Sequence, residues 1–206
     1  MKRSLTMLIS LPVLAGCTVF GIRTVEEPEY RVVQTDGAIE VREYPPVIVA
    51  RTQVRGDYDE SSTVGFNRLA GYIFGGNQSG QDIAMTAPVV QETNGVSIEM
   101  TAPVLQEQSG DVWTMAFVMP SEYTLETLPR PLDPEVELAP VDARKTAVIS
   151  YSGSLKENRI EEQSALLKAW VEASNYIPLS GPRSAAYDPP WTLPFLRRNE
   201  IHVDVR

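Results

Sequence analysis

VIVARTQV at Val47–Val54, followed by ESSTVGFNRLAGYIF at Glu60–Phe74, decides the fold class. The first run is β-branched and reads as a strand. The second places Val64, Phe66, Leu69, Ala70, Ile73 and Phe74 on one broad face at three- and four-residue spacing, which reads as a helix. Ser61, Ser62 and Thr63 offer N-caps, and Gly75-Gly76-Asn77 ends the helix as a left-handed glycine would. A strand feeding one long helix calls for more strands to cover that helix's apolar face.

Those strands lie on both sides. Glu29–Thr35 alternates into Ile39–Tyr44, and Asp36-Gly37 between them predicts a type I′ hairpin. Pro45-Pro46 forces a break before Val47, because proline lacks the ladder N–H. Beyond the helix comes an internal repeat: IAMTAPVVQE at Ile83–Glu92 and IEMTAPVLQE at Ile98–Glu107, eight of ten positions identical at a spacing of 15. That offset suits two adjacent extended segments joined by a turn at Thr93-Asn94-Gly95. Val112–Met119 is a further strand stopped by Pro120, and Ser121–Pro140, rich in Pro, Leu and acid, reads as an irregular connection. Thr146–Tyr151 is a strand. Lys156–Asn175 is a second helix, with Ile160, Leu167, Trp170 and Val171 on one stripe and Pro178 beyond its end. Arg183–Tyr187, an apolar loop at Pro189–Leu196 and a strand at Asn199–Val205 close the chain. The order predicts an α+β fold of two similar halves, each one long helix on antiparallel strands, meeting around residues 110–145.

The N-terminus predicts a lipoprotein signal over residues 1–16. Met1-Lys2-Arg3 is basic, and the apolar run Leu5–Ala15 is too short to span a bilayer. Leu14-Ala15-Gly16-Cys17 looks like a bacterial lipobox, with Cys17 as the lipidated residue and residues 17–28 as a tether. Several acyl chains hold a protein on a membrane durably where one does not. Thr18 after the cysteine leans towards the outer membrane, so the expected place is its periplasmic face. Removing residues 1–16 takes away Lys2 and Arg3 and no acid, leaving 16 basic against 27 acidic residues, a net charge of −11. Such a chain is a poor nucleic-acid binder, since that affinity rests on neutralising phosphates. With one Cys and one His in all 206 residues, an internal disulfide and a Cys/His zinc site are excluded.

Several strings together resemble the SOUL/heme-binding protein family. They are Glu40-Val41-Arg42-Glu43-Tyr44, Tyr72-Ile73-Phe74-Gly75-Gly76-Asn77 and Ile83-Ala84-Met85-Thr86-Ala87-Pro88-Val89. Phe117-Val118-Met119-Pro120, Pro129-Arg130-Pro131-Leu132, Tyr187-Asp188-Pro189-Pro190 and Arg197-Arg198-Asn199-Glu200 follow. The likeness covers residues 29–206, read as one domain. It implies a pseudo-symmetric antiparallel β-barrel with two long helices, similar to gyrase-inhibitor-like small-ligand domains. It also implies binding of heme or related tetrapyrroles. Some animal members carry a histidine directly after the arginine of this strand, regarded as an iron ligand. Here the order is Arg42-Glu43-Tyr44, so that imidazole is absent. Other members lack it too and are described as binding heme through an apolar cleft.

The residues then sort by what they offer. Part of the first helix's stripe, Val64, Phe66, Leu69, Ile73 and Phe74, is expected to floor a cleft for a flat macrocycle, or else to be core. Arg68, Arg197 and Arg198 are cations suited to propionates, against ordinary ion pairing on an acidic surface. Glu43 shares a strand face with Ile39 and Val41 and asks for a partner, a salt bridge or an anchoring role in the cleft. Tyr44, Met85 and His202 are the weak iron-ligand candidates. His202 lies on the face of Ile201–Val205 opposite the apolar residues and is expected to point away from the core as a surface or paired histidine. Met85, Met100 and Met115 recur at intervals of 15, and Met commonly fills core gaps. The apolar loop Pro189–Leu196 reads as a lid or as a plug. These features predict a non-catalytic, lipid-anchored binder of heme or another tetrapyrrole. The alternative is a general apolar small-molecule binder or envelope interaction module. A tetrapyrrole-modifying enzyme finds few acid–base groups, Glu43 being the one proton carrier at hand.

Overall fold

Residues with alternating polarity form strands and those at helical spacing form helices, with several bounds displaced from the sequence reading. The computed structural model describes residues 25–78, 95–189 and 191–206. In chain order the elements are β1 (Arg31–Asp36), β2 (Ile39–Tyr44), β3 (Val47–Arg55), α1 (Tyr58–Ile73), β4 (Asn77–Gln78) and β5 (Val104–Ser109). They continue with β6 (Val112–Val118), β7 (Arg130–Pro131), β8 (Glu137–Val141), β9 (Arg144–Tyr151), α2 (Glu157–Ala173), β10 (Arg183–Ala186) and β11 (Asn199–Val205). A 3-10 turn at Pro194–Leu196 precedes β11. Cys17, Met85, the first copy of the repeat and Thr93-Asn94 lie outside the described residues.

Among the described residues nine strands make one antiparallel sheet in the order β1-β2-β9-β11-β10-β5-β6-β3-β8. Two strand–helix–strand–strand units account for its middle. The first is β3-α1-β5-β6 and the second β9-α2-β10-β11. In the sheet they lie as β3-β6-β5 and β10-β11-β9, so an approximate two-fold axis passes through the β5–β10 pair. That pair runs from Val104 opposite Ala186 to Glu107 opposite Arg183. This is the expected α+β near-barrel with two long helices. The expected meeting place at residues 110–145 is corrected to this seam. β2 crosses to pair with β9 in the second unit, and β8 returns to pair with β3 in the first, so spatial halves differ from sequence halves.

Both helices cover one face of the sheet. Leu69, Tyr72 and Ile73 of α1 bury against Ala50, Met115 and Phe117. Gly65 lets the helix come close, since a Cβ there would lie 3.2 Å from the Met115 Cβ. On α2, Leu167 and Val171 bury against Ala147, Ile149, Ile201 and Val203. Each fully buried leucine or isoleucine contributes about 1.5–3 kcal/mol relative to exposure.

Local chemistry explains the displaced bounds. α1 starts before the expected Glu60, because Asp57 and not a serine is its N-cap, its Oδ1 accepting from the Glu60 N–H at 2.9 Å. The β1–β2 loop is Gly37-Ala38, with positive φ at Gly37 (59°) and, among the described residues, at no non-glycine position. A type I′ turn needs two such residues, so the signs are those of type II′. Within the expected irregular stretch Ser121–Pro140, Glu137–Val141 begins β8. Pro140 is tolerated there because β8 is an edge strand.

Candidate ligand site

β11 and β2 alternate Glu200, His202 and Asp204, and Glu40, Arg42 and Tyr44, onto the face away from the helices. Curvature of the sheet, Tyr187 and the segment 27–30 close over this face, so its polar groups must find partners within the protein. They do. Glu200, 1% exposed, accepts from Arg42 Nη1 on both oxygens (3.1 and 3.0 Å), from the Tyr187 hydroxyl (2.7 Å) and from Ser150 Oγ (3.2 Å). His202 Nε2 lies 2.8 Å from the same carboxylate. Burial alone pushes the Glu200 carboxyl up. The His202 hydrogen bond, the Arg42 charge and the Tyr187 hydroxyl overcome it and hold the group well below the usual carboxylate range. Burial pushes the His202 imidazole down, so it is neutral at neutral pH.

Beside this closed network lie two adjoining depressions. The larger, about 540 Å³, has an apolar floor of Val47, Ile48, Val118 and Met119, and Glu26, Glu27 and Glu29 stand among its lining residues. Its size falls in the ~300–1,000 Å³ range of small-molecule sites. The other, about 470 Å³ and open, is lined by Arg31, Arg144 and Lys145 with Glu43. Pro45 belongs to both, and Tyr44 to the second. Arg144 is the least satisfied cation there. Its Nη1 is buried without a hydrogen-bond partner among the described residues, and Asp204 approaches its Nε only to 3.7 Å. Burial lowers its pKa, so an anion nearby would relieve it.

The sequence-predicted residues do not converge on one site. Leu69 and Ile73 are sealed in the core and offer no surface to a ligand. Val64 is half-buried, whereas Phe66, packed edge-on to Phe117, and Phe74 are exposed. The cleft floor therefore comes from β3 and β6 rather than from α1. Arg68 serves the helix side, donating to Thr52 Oγ1 and the Gln53 carbonyl. Glu43 takes the salt-bridge reading, between its cross-strand neighbours Arg31 and Lys145. Arg197 Nε donates to the Thr192 carbonyl. Arg198 pairs with Glu27 and stacks on the Tyr187 ring at 3.6 Å. Tyr44, Arg198 and His202 do meet, around Glu200.

Three residues at the centre of the network, Arg42, Tyr187 and Glu200, were not singled out by sequence. The signal lay in the polar alternations of β2 and β11, the two strands that flank β9, which carry Arg42 on one and Glu200 on the other. His202 does point away from the core that holds Ile201, Val203 and Val205, and of the two expected states it takes the paired one, 3% exposed on a covered face. Burial pushes the Tyr44 phenol up to about 12, so it carries its proton at neutral pH. No group of three or more His, Cys, Asp or Glu side chains arranged to hold a metal occurs among the described residues.

Known proteins share this architecture. The C-terminal domain of EcmrR superposes with a TM-score of 0.57 at 13% identity, covering 86% of this chain and 98% of that domain. A protein from Listeria innocua described as a hydrolase gives 0.51 at 12% identity, covering 84% and 94%. At such identities the likeness concerns the fold alone. In sequence, human heme-binding protein 2 is 29% identical over 128 residues, which are 62% of this chain and 58% of that protein. The chain thus spans less than two thirds of that relative's length. The profile of the SOUL heme-binding protein family matches residues 25–204, nearly the whole described fold, and the chain belongs to that family.

Proposed function

We propose that the protein binds heme or a related tetrapyrrole where the two depressions adjoin. The macrocycle would lie on Val47, Ile48, Val118 and Met119, with its carboxylates towards Arg144 and Lys145. The observation that carries this reading is Arg144: a cation with a buried, unbonded nitrogen, lining a depression that shares Pro45 with the apolar-floored one. An amphiphilic dianion with a flat apolar body suits that pairing, since pockets take shape from apolar surface and orientation from a few polar groups. This reading rests on surface and charge without an iron ligand, and His202 is already committed to Glu200.

Hemin titration of the chain tests it. A Soret shift with tryptophan quenching at or below tens of micromolar is expected (about −6 kcal/mol), weakened about tenfold by Arg144→Gln. No spectral change would refute the proposal. The three glutamates on the larger groove favour the second reading, a neutral or cationic apolar guest without heme. Tighter binding of such compounds than of hemin would decide for it.

The proposal also places the protein on the periplasmic face of the outer membrane through lipid on Cys17. Palmitate labelling in a bacterial host, lost in Cys17→Ser, is the expected result. An unlabelled native chain would contradict it.

A further inference from the structure

The loop between β10 and β11 presents three large apolar side chains to solvent. Trp191 is 63% exposed, Leu193 39% and Phe195 71%. They alternate along PPWTLPFL (residues 189–196), which contains no charged residue. The loop is held in shape from within. Thr192 N–H donates to the Pro189 carbonyl, Leu196 N–H to Leu193 and Arg197 N–H to Pro194. Arg197 Nε donates to Thr192 and Gly153 N–H to Pro194. Three of its eight residues are prolines and have no N–H to satisfy. A tip with many backbone groups bonded internally, no charge and an aromatic crest is suited to the water–hydrocarbon boundary of a bilayer, where unsatisfied backbone and charge are costly.

The place where the described chain begins points to the same partner. In register, Ala186, Asn199, Val104 and Phe117 form one row across the sheet, and the loop leaves from this edge. Glu26 is bonded at that edge too, to the N–H groups of Ala102 and Ser121, and Glu27 pairs with Arg198 just after the loop. Cys17 is eight residues before Val25, a reach of at most about 29 Å. A lipid on Cys17 would therefore tether the domain by this edge. With a charge of −11 over residues 17–206, a zwitterionic surface is favoured over an anionic one.

We infer that Trp191, Leu193 and Phe195 form a foot that inserts into the interface of a zwitterionic bilayer and fixes the orientation of the domain on it. The inference leans on the proposed anchor at Cys17 and is independent of the ligand.

The full chain reconstituted in phosphatidylcholine vesicles brominated along the acyl chains provides the test. Part of the tryptophan emission should be quenched relative to unbrominated vesicles, and Trp191→Ser should remove that part. Leu193→Glu and Phe195→Glu, which keep Trp191, should reduce it at least about twofold with unchanged melting. Absence of quenching in the native chain, or quenching untouched by the glutamate variants, overturns the inference. So does a drop in hemin affinity in Phe195→Glu with quenching unchanged, which would make the loop a ligand lid, or loss of self-association as the variants' one effect. Palmitate-labelled protein without quenching refutes the foot alone. Quenching without label refutes the anchor and leaves the foot standing.

Discussion

On the face away from the helices, β6 carries Thr114, Ala116 and Val118 where β11, its counterpart in the second unit, carries Glu200, His202 and Asp204. The first set carries no charge, and its Val118 lines the larger depression together with Val47, Ile48 and Met119. The second is locked by Arg42, delivered from β2, and by Tyr187 from the seam side. Charge alternating on a covered strand must be satisfied from within, so that half of the face closes. An apolar floor imposes no such demand and can stay open. One architecture repeated about a two-fold thus supplies a rigid wall and a binding surface. On the proposed reading the family's ligand would be held by surface and charge, the only imidazole being spent on the wall.

Breaking the wall should have the largest effect. Arg42→Met leaves Glu200 buried without its cation and should cost about 3–5 kcal/mol in urea unfolding. A loss under 1 kcal/mol would mean the network is more open to water than its burial implies. In the first unit, Gly65→Ala should cost about 1–3 kcal/mol by pressing α1 off Met115, measured in the same way, and an unchanged midpoint would contradict the close packing.

The pH dependence separates the units further. The folded pKa of His202 lies below its ordinary 6.5, so the unfolded chain takes up the proton first as pH falls. Its contribution is complete above pH 6.5 and is lost as pH drops below that value towards the folded pKa, by up to about 1.4 kcal/mol per pH unit. Glu200, also depressed, adds its loss further down, below the ordinary carboxylate value of about 4.3. His202→Gln should flatten the melting-temperature profile between pH 7 and 5.5, and an unaltered slope would assign that titration elsewhere. The smallest effect belongs to Glu43→Gln. Its ion pairs are partly exposed, and about 0.5 kcal/mol or less should be lost.

Sequence alone revealed both helices and strands β2, β3, β6, β9 and β11, because each carries its own period. It missed β8, whose Pro140 reads as a breaker until the strand is known to be an edge. It misplaced the seam, because the β5–β10 pairing joins residues far apart in the chain that no local pattern connects. The site was legible at Tyr44, which stands beside the family's histidine position. It was illegible at Arg144, since Ala143-Arg144-Lys145 reads as solvated charge until β9 pairs with β2 and sets Arg144 opposite Tyr44. For His202 the face was legible and the burial was not: alternation shows which residues share a face, but not whether the second face is covered.

Paired titrations with hemin and with metal-free protoporphyrin IX test the central claim, that this protein binds its ligand by apolar surface and an arginine rather than through iron. The account predicts dissociation constants within about threefold of each other, both weakened by Arg144→Gln (about 1.4 kcal/mol per tenfold). A hemin preference of about 100-fold, insensitive to Arg144→Gln, would contradict it and require a side chain on the iron.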